Sequence, residues 1–109
     1  MDFEKLLPVG SVVRLQGAGK KIVIMGIMQM KKTDSGLRVY DYIGVPFPEG
    51  FLGPDSGLLF NHDTIEEVIF TGYQNLERER FVQTMQTVLR SGDQTIQSAL
   101  QAREKPAVS

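Results

Sequence analysis

The sequence predicts an α+β fold: a small curved antiparallel β-sheet of about five strands, open or barrel-like, followed by a C-terminal amphipathic helix. Three observations lead there. Short runs rich in β-branched and aromatic residues fill the first two-thirds of the 109-residue chain. Joints rich in glycine and proline, 11 and 5 in all, separate those runs. From Leu76 onward the apolar residues recur at helical rather than strand spacing.

Each element has its own justification. Asp2 to Leu7 is read as a helical turn, set apart by Pro8 and Gly10 from a first strand over Ser11–Leu15. Gln16–Lys20 carries two glycines that tolerate positive φ, so it forms a hairpin connection. Ile22 to Met30 is apolar on both faces, as a central strand covered on both sides would be. Gly26 marks a bulge or bend within it. Met25 and Met28 are assigned to the core, with Met30 at the exposed end. Thr33-Asp34-Ser35-Gly36 turns the chain into a third strand, Leu37–Val45. Three prolines and three glycines between Pro46 and Gly57 exclude a regular element there. Leu58–Phe60 is a short strand, and Val68–Phe70 another. Between them, Asp63 and Glu66 stand at capping-box spacing and predict a capped helical turn. Leu76, Phe81, Val82, Met85, Val88 and Leu89 form the helix's apolar stripe, with Asn75 as N-cap and Gly92 as stop. The stripe is expected to close one face of the sheet.

Residues 1–90 are thus expected to form one domain. Residues 91–109 form a weakly helical or unstructured tail, its helical part at Asp93–Ala102 and Glu104–Ser109 disordered. Twelve basic against thirteen acidic residues give a net charge of −1, which argues against an electrostatic nucleic-acid binder. No cysteine is present, so thiolate metal sites, disulfides and cysteine nucleophiles drop out. No apolar run is long enough for a membrane span, and the first residues lack a signal-peptide layout, which points to the cytoplasm.

Catalytic chemistry has little to work with. His62 is the sole histidine. With Asp41, Asp63, Glu66 or Glu67 it would make a His/carboxylate enzyme site, but His62 and Asp63 also suit a helix start where they satisfy backbone donors. Gly17, Gly19 and Lys20 lack the remaining residues of a phosphate loop. Lys20-Lys21 and Lys31-Lys32 fit solvated strand ends. Tyr40, Tyr42 and Phe47 would have to stack bases if the sheet bound nucleic acid, with Asp41 and Glu49 opposing them. No catalytic, cofactor or metal residues are therefore assigned. The Pro46–Pro54 loop is different. Phe47, Phe51 and Leu52 on a proline-stiffened backbone either fold back onto the core or meet another protein. In the second case they are the anchors, with Glu49 tuning specificity at the rim.

Three stretches together carry a resemblance. They are Leu7-Pro8-Val9-Gly10-Ser11-Val12-Val13, then Tyr40-Asp41-Tyr42-Ile43-Gly44-Val45-Pro46-Phe47-Pro48-Glu49-Gly50, then Phe60-Asn61-His62-Asp63 through Val68-Ile69-Phe70-Thr71-Gly72-Tyr73. In that order and spacing, over about residues 6–81, the chain resembles the small bacterial domain-of-unknown-function family numbered four-one-seven-six. That family is found beside LXG-type toxins in type VII secretion clusters of Gram-positive bacteria, and no catalytic residues are defined for it. The resemblance implies a non-enzymatic protein-binding accessory factor, a targeting factor or chaperone for an LXG toxin. Its partner would be the toxin's N-terminal helical domain, with no nucleic acid and no membrane insertion. The alternatives are a toxin immunity protein, which usually needs a strongly charged patch, or the His62 enzyme.

Overall fold

The structure, a computed structural model, describes residues 5–89 and the pair 107–108. A long hairpin organises the sheet. Its arms are β2 (Lys21–Thr33) and β3 (Gly36–Pro46). The turn between them needs positive φ at Gly36, and the Thr33 hydroxyl donates to the Gly36 carbonyl at 2.7 Å. On one side β2 pairs with β1 (Val12–Leu15), which pairs with β5 (Ile65–Phe70). On the other side β3 pairs with β4 (Leu58–Phe60), and β4 with the short β6 (Ala107–Val108). Every pairing is antiparallel, in the order β5-β1-β2-β3-β4-β6. The sheet is open: β5 and β6 end it instead of closing a barrel. The fold is α+β, as the sequence predicts. The expected tail falls outside the described residues except at Ala107–Val108, and so do Gly92 and the Asp93–Ala102 helix.

Curvature comes from the middle of β2. The register with β3 shifts between Ile24 and Gly26, and Met28 adopts φ 55. A Cβ at Gly26 would lie 2.8 Å from Gln29 Nε2, the end of a flexible side chain, and 3.0 Å from Ile43 Cγ2, so both side chains would have to give way. The bend brings Met28 and Val39 into the same buried cluster as Val13, Ile24, Tyr42 and Phe60. Met28 is buried as expected, but Met25 is exposed. It stands in the register shift, where the alternation of faces that would turn it inward is interrupted.

The helix α1 (Leu76–Leu89) begins where expected, with Asn75 Oδ1 accepting the Arg78 amide at 3.0 Å. It covers the core with less than its expected stripe. Val82 is buried and Met85 packs against the cluster, whereas Leu76, Phe81 and Val88 are exposed. The reason is rotational. Positions 78, 82 and 85 share one side of the helix with 85 at its margin, and 81 and 88 lie about 100° and 120° around from 82, beyond that margin. Arg78 completes the seal, its Nη2 donating to the Leu6 carbonyl at 2.7 Å.

Candidate functional site

Two regions concentrate the motif residues. The first is an internal polar bracket between β3 and the turn joining β4 to β5. Asp41 and Tyr42 are adjacent in a strand, so they leave it on opposite sides. Asp41, buried, offers its amide to Asn61 Oδ1 at 3.0 Å and takes the His62 amide on Oδ2 at 2.8 Å. Asn61 thus reads the β3 backbone while Asp41 reads the turn. Thr64 finishes the turn, its hydroxyl donating to the Asn61 carbonyl at 2.7 Å.

Tyr42 holds the other side. Its ring packs on Phe60 with centroids 5.2 Å apart, and its hydroxyl accepts the Leu7 amide at 2.9 Å. The same hydroxyl shares a hydrogen bond with His62 Nδ1, 2.7 Å away. Burial pushes the Tyr42 phenol up to about 12, offset in part by the Leu7 hydrogen bond.

This geometry corrects two readings. The helical turn predicted at Asp63–Glu66 is only a 3₁₀ turn, His62–Thr64, with Asn61 at its N-cap and no side-chain cap bond. Ile65, Glu66 and Glu67 belong to β5, where Arg14 draws Glu66 and Glu67 across at 3.0 and 3.3 Å. The reciprocal cap fails because both of its acidic residues have other places: Asp63 is exposed and Glu66 serves Arg14. His62 binds Tyr42 through its ring and Asp41 through its backbone amide. A base-stacking face is also excluded at Tyr40 and Tyr42, both buried. Among the described residues, no three His, Asp or Glu side chains gather as a metal site would require.

A smaller clamp joins the first and third motif stretches. Ser11, fully buried, donates from Oγ to the Pro8 carbonyl at 2.7 Å and accepts the Gly72 amide at 2.9 Å. Gly72 must be glycine, since a Cβ there would strike the Val9 carbonyl oxygen.

The second region is the Pro46–Pro54 loop, and the structure bears on the first of its two readings. Phe47, Phe51 and Leu52 are 44%, 61% and 67% exposed, so the loop does not fold back onto the core. Its backbone is nevertheless tied down. The Phe47 amide donates to the Lys21 carbonyl at 2.9 Å, and the Gly50 amide to the Pro46 carbonyl at 2.7 Å. The peptide between Phe47 and Pro48 is cis. Ser56 Oγ accepts the Leu52 amide at 3.0 Å and donates to the Gly53 carbonyl at 2.7 Å. Glu49 meets Lys20 Nζ at 2.6 and 2.8 Å, and that hydrogen bond holds its carboxyl below the usual range. Phe47, Glu49, Phe51 and Leu52 therefore share one short, hydrogen-bonded surface loop.

Both regions lie within one family match. The family model of a domain of unknown function, DUF4176, matches residues 6–81. The chain belongs to this family. No curated protein and no solved structure matches it. Within this DUF4176 chain the L-P-V-G-S, D-Y, N-H and T-G stretches supply the clamp and bracket, while V-P-F-P-E-G forms the surface loop. Sequence reasoning missed Asn61, Arg78 and Lys20 as structural partners. Only the basic Lys20 opposite an acidic loop carried a signal for its contact.

Proposed function

We propose that this DUF4176 chain is a non-enzymatic protein-binding accessory factor. In this reading it is a targeting factor or chaperone for an LXG-type toxin exported by a type VII secretion system, and it acts in the cytoplasm of a Gram-positive cell. The observation that carries the binding role is the exposure of Phe47, Phe51 and Leu52 on a loop whose backbone is already ordered. A loop backbone already ordered costs little further entropy when a partner covers its side chains. The Lys20–Glu49 pair at the rim supplies orientation more than affinity. The toxin and its N-terminal helical domain come from the family resemblance. The absence of any helix long and apolar enough to cross a membrane, among the described residues, is compatible with this role.

The test pairs affinity with stability. Phe51→Ala and Leu52→Ala are titrated against the N-terminal domain of the LXG toxin encoded beside the gene, and each variant is melted. The expected loss is about 1–3 kcal/mol of binding per anchor. Unchanged affinity in folded variants would remove the loop from the interface. The enzyme alternative has weaker support, because the His62 ring bonds a phenol and Asp41 is occupied with backbone.

A further inference from the structure

On one side the sheet ends in β6, a strand of two residues laid against β4. The strand beneath it, Leu58-Leu59-Phe60, has neither charge nor proline, the usual guards of an open edge. Leu59 and Phe60 are buried, so this edge offers mainly its outward backbone groups. Ala107 and Val108 take them up, antiparallel, in the register Leu59–Ala107 and Leu58–Val108. The cover is minimal. Two successive positions of an antiparallel ladder contain one hydrogen-bonded pair, and two residues fall below the ordinary length of a strand. β6 pairs with no strand but β4, and residues 90–106 separate it from α1 in the chain. One short ladder and a tether hold it there, and a tether supplies effective concentration without adding a contact. The edge also adjoins the loop. Leu58 follows a single 3₁₀ turn, Pro54–Ser56, whose Ser56 hydroxyl bonds the Leu52 amide and the Gly53 carbonyl. A partner seated on Phe51 and Leu52 therefore stands beside the start of β4.

Building on the loop as the binding surface, we propose that the outer edge of β4 is a strand-addition site for the same partner, and that β6 fills it in the free protein as a built-in competitor. The partner contributes an extended segment that pairs antiparallel with β4, in a seat that β6 shows to accept a strand. The register names what that segment carries: a small residue against Leu59, where β6 has Ala107, and a β-branched one against Leu58, where it has Val108. A second copy of this chain is the poorer donor. Its Ala107–Val108 would bring the same two-residue ladder without the tether that favours the resident strand. A segment of the partner already held at Phe51 and Leu52 has a local advantage of its own.

The test uses the full chain. Ala107→Pro together with Val108→Pro removes both amides of β6, and hydrogen exchange at the β4 amide facing it should quicken about tenfold in the free variant. A synthetic peptide of residues 104–109, added in excess, should restore protection there. Titrated with the complete LXG toxin encoded beside the gene, the double-proline variant should bind about tenfold more tightly than wild type, the worth of one freed hydrogen-bonded pair. In that complex the same β4 amide should again be protected. A strand that merely braced the loop would act the other way, since its loss would lower affinity. Exchange unchanged by the prolines, a peptide that restores nothing, or a variant affinity equal to or below wild type overturns the proposal. Phe51→Ala, made in the double-proline chain, keeps the two readings apart. Weakened binding there without any gain from the prolines leaves the loop standing alone, and no effect of Phe51→Ala removes the loop and this site with it.

Discussion

The polar bracket and the Pro46–Pro54 loop put their hydrogen bonds to opposite ends. The bracket turns Asp41, Asn61 and His62 inward and spends their hydrogen bonds on backbone amides and a phenol. The loop spends its hydrogen bonds on itself and turns phenylalanine and leucine outward. Polar inside and apolar outside reverses the usual distribution, and each reversal has a physical reason. Buried carboxylate and amide groups persist because they find partners, and they fix which turn sits on which strand. Exposed phenylalanine on an ordered loop is what the proposed binding role would use. Motifs of one family can therefore encode scaffold and surface within twenty residues of each other.

Four experiments would break or sharpen this contrast. Asp41→Ala strands the His62 amide beside the core, and it is expected to lower stability by roughly 2–3 kcal/mol in a denaturant titration. A loss no larger than that of a surface mutation would show that the bracket is dispensable.

Alkali attacks the same bracket from its other side. The Tyr42 phenol, raised to about 12, is held neutral in the fold but ionises near 10 when unfolded. Its contribution is complete below pH 10 and is lost as pH rises from 10 to 12, by about 2–3 kcal/mol at 1.36 kcal/mol per unit. Chemical denaturation of the wild type and Tyr42→Phe across that range would check it. The variant should lack this part of the decline.

Gly72→Ala probes the clamp, since the added methyl meets backbone that has little freedom to move. A cost of about 1–3 kcal/mol is expected, read as a lower melting temperature. The smallest stability effect belongs to the loop. Phe51→Ala should leave the denaturation midpoint within about 0.5 kcal/mol of wild type, as for an ordinary surface change. A large destabilisation would place Phe51 in the scaffold and dissolve the distinction. Acid should act here in the same muted way. The depressed Glu49 carboxyl favours the Lys20 pair above its unfolded pKa, and that contribution fades as pH falls through the folded value.

Much of the fold was legible in the sequence because period and punctuation agree. Leu58–Phe60, the turn before Gly36 and the Asn75 cap all stand where local residue chemistry puts them. Legibility failed where a side chain had two competing partners. Glu66 matched a cap by spacing, yet Arg14, 52 residues away, takes it in the fold. The apolar stripe of α1 was read as one face although Val82 and Phe81, neighbours in a helix, point about 100° apart; spacing does not say which of the two the sheet takes. Loop residues 47, 51 and 52 were legible as candidates but not as exposed, since an apolar loop residue is equally at home against a core. The bracket was hardest to see. It joins positions about twenty residues apart through backbone amides, which have no letter in the sequence.

The Ser11–Gly72 clamp has a bearing on the order in which the chain assembles. It links residues 61 apart, and β1–β5 pairing spans a comparable distance, whereas β2 and β3 meet across a two-residue turn. Closing a long loop costs entropy before any contact repays it, so the central hairpin has the kinetic advantage and the clamp comes late. A chain emerging from the ribosome can zip β2 to β1 and β3 once residue 46 is out, but the far side of β1 waits for β5 and residue 72. Until then the outer edge of β1 is open, and that interval is when a nascent chain is most exposed to mispairing.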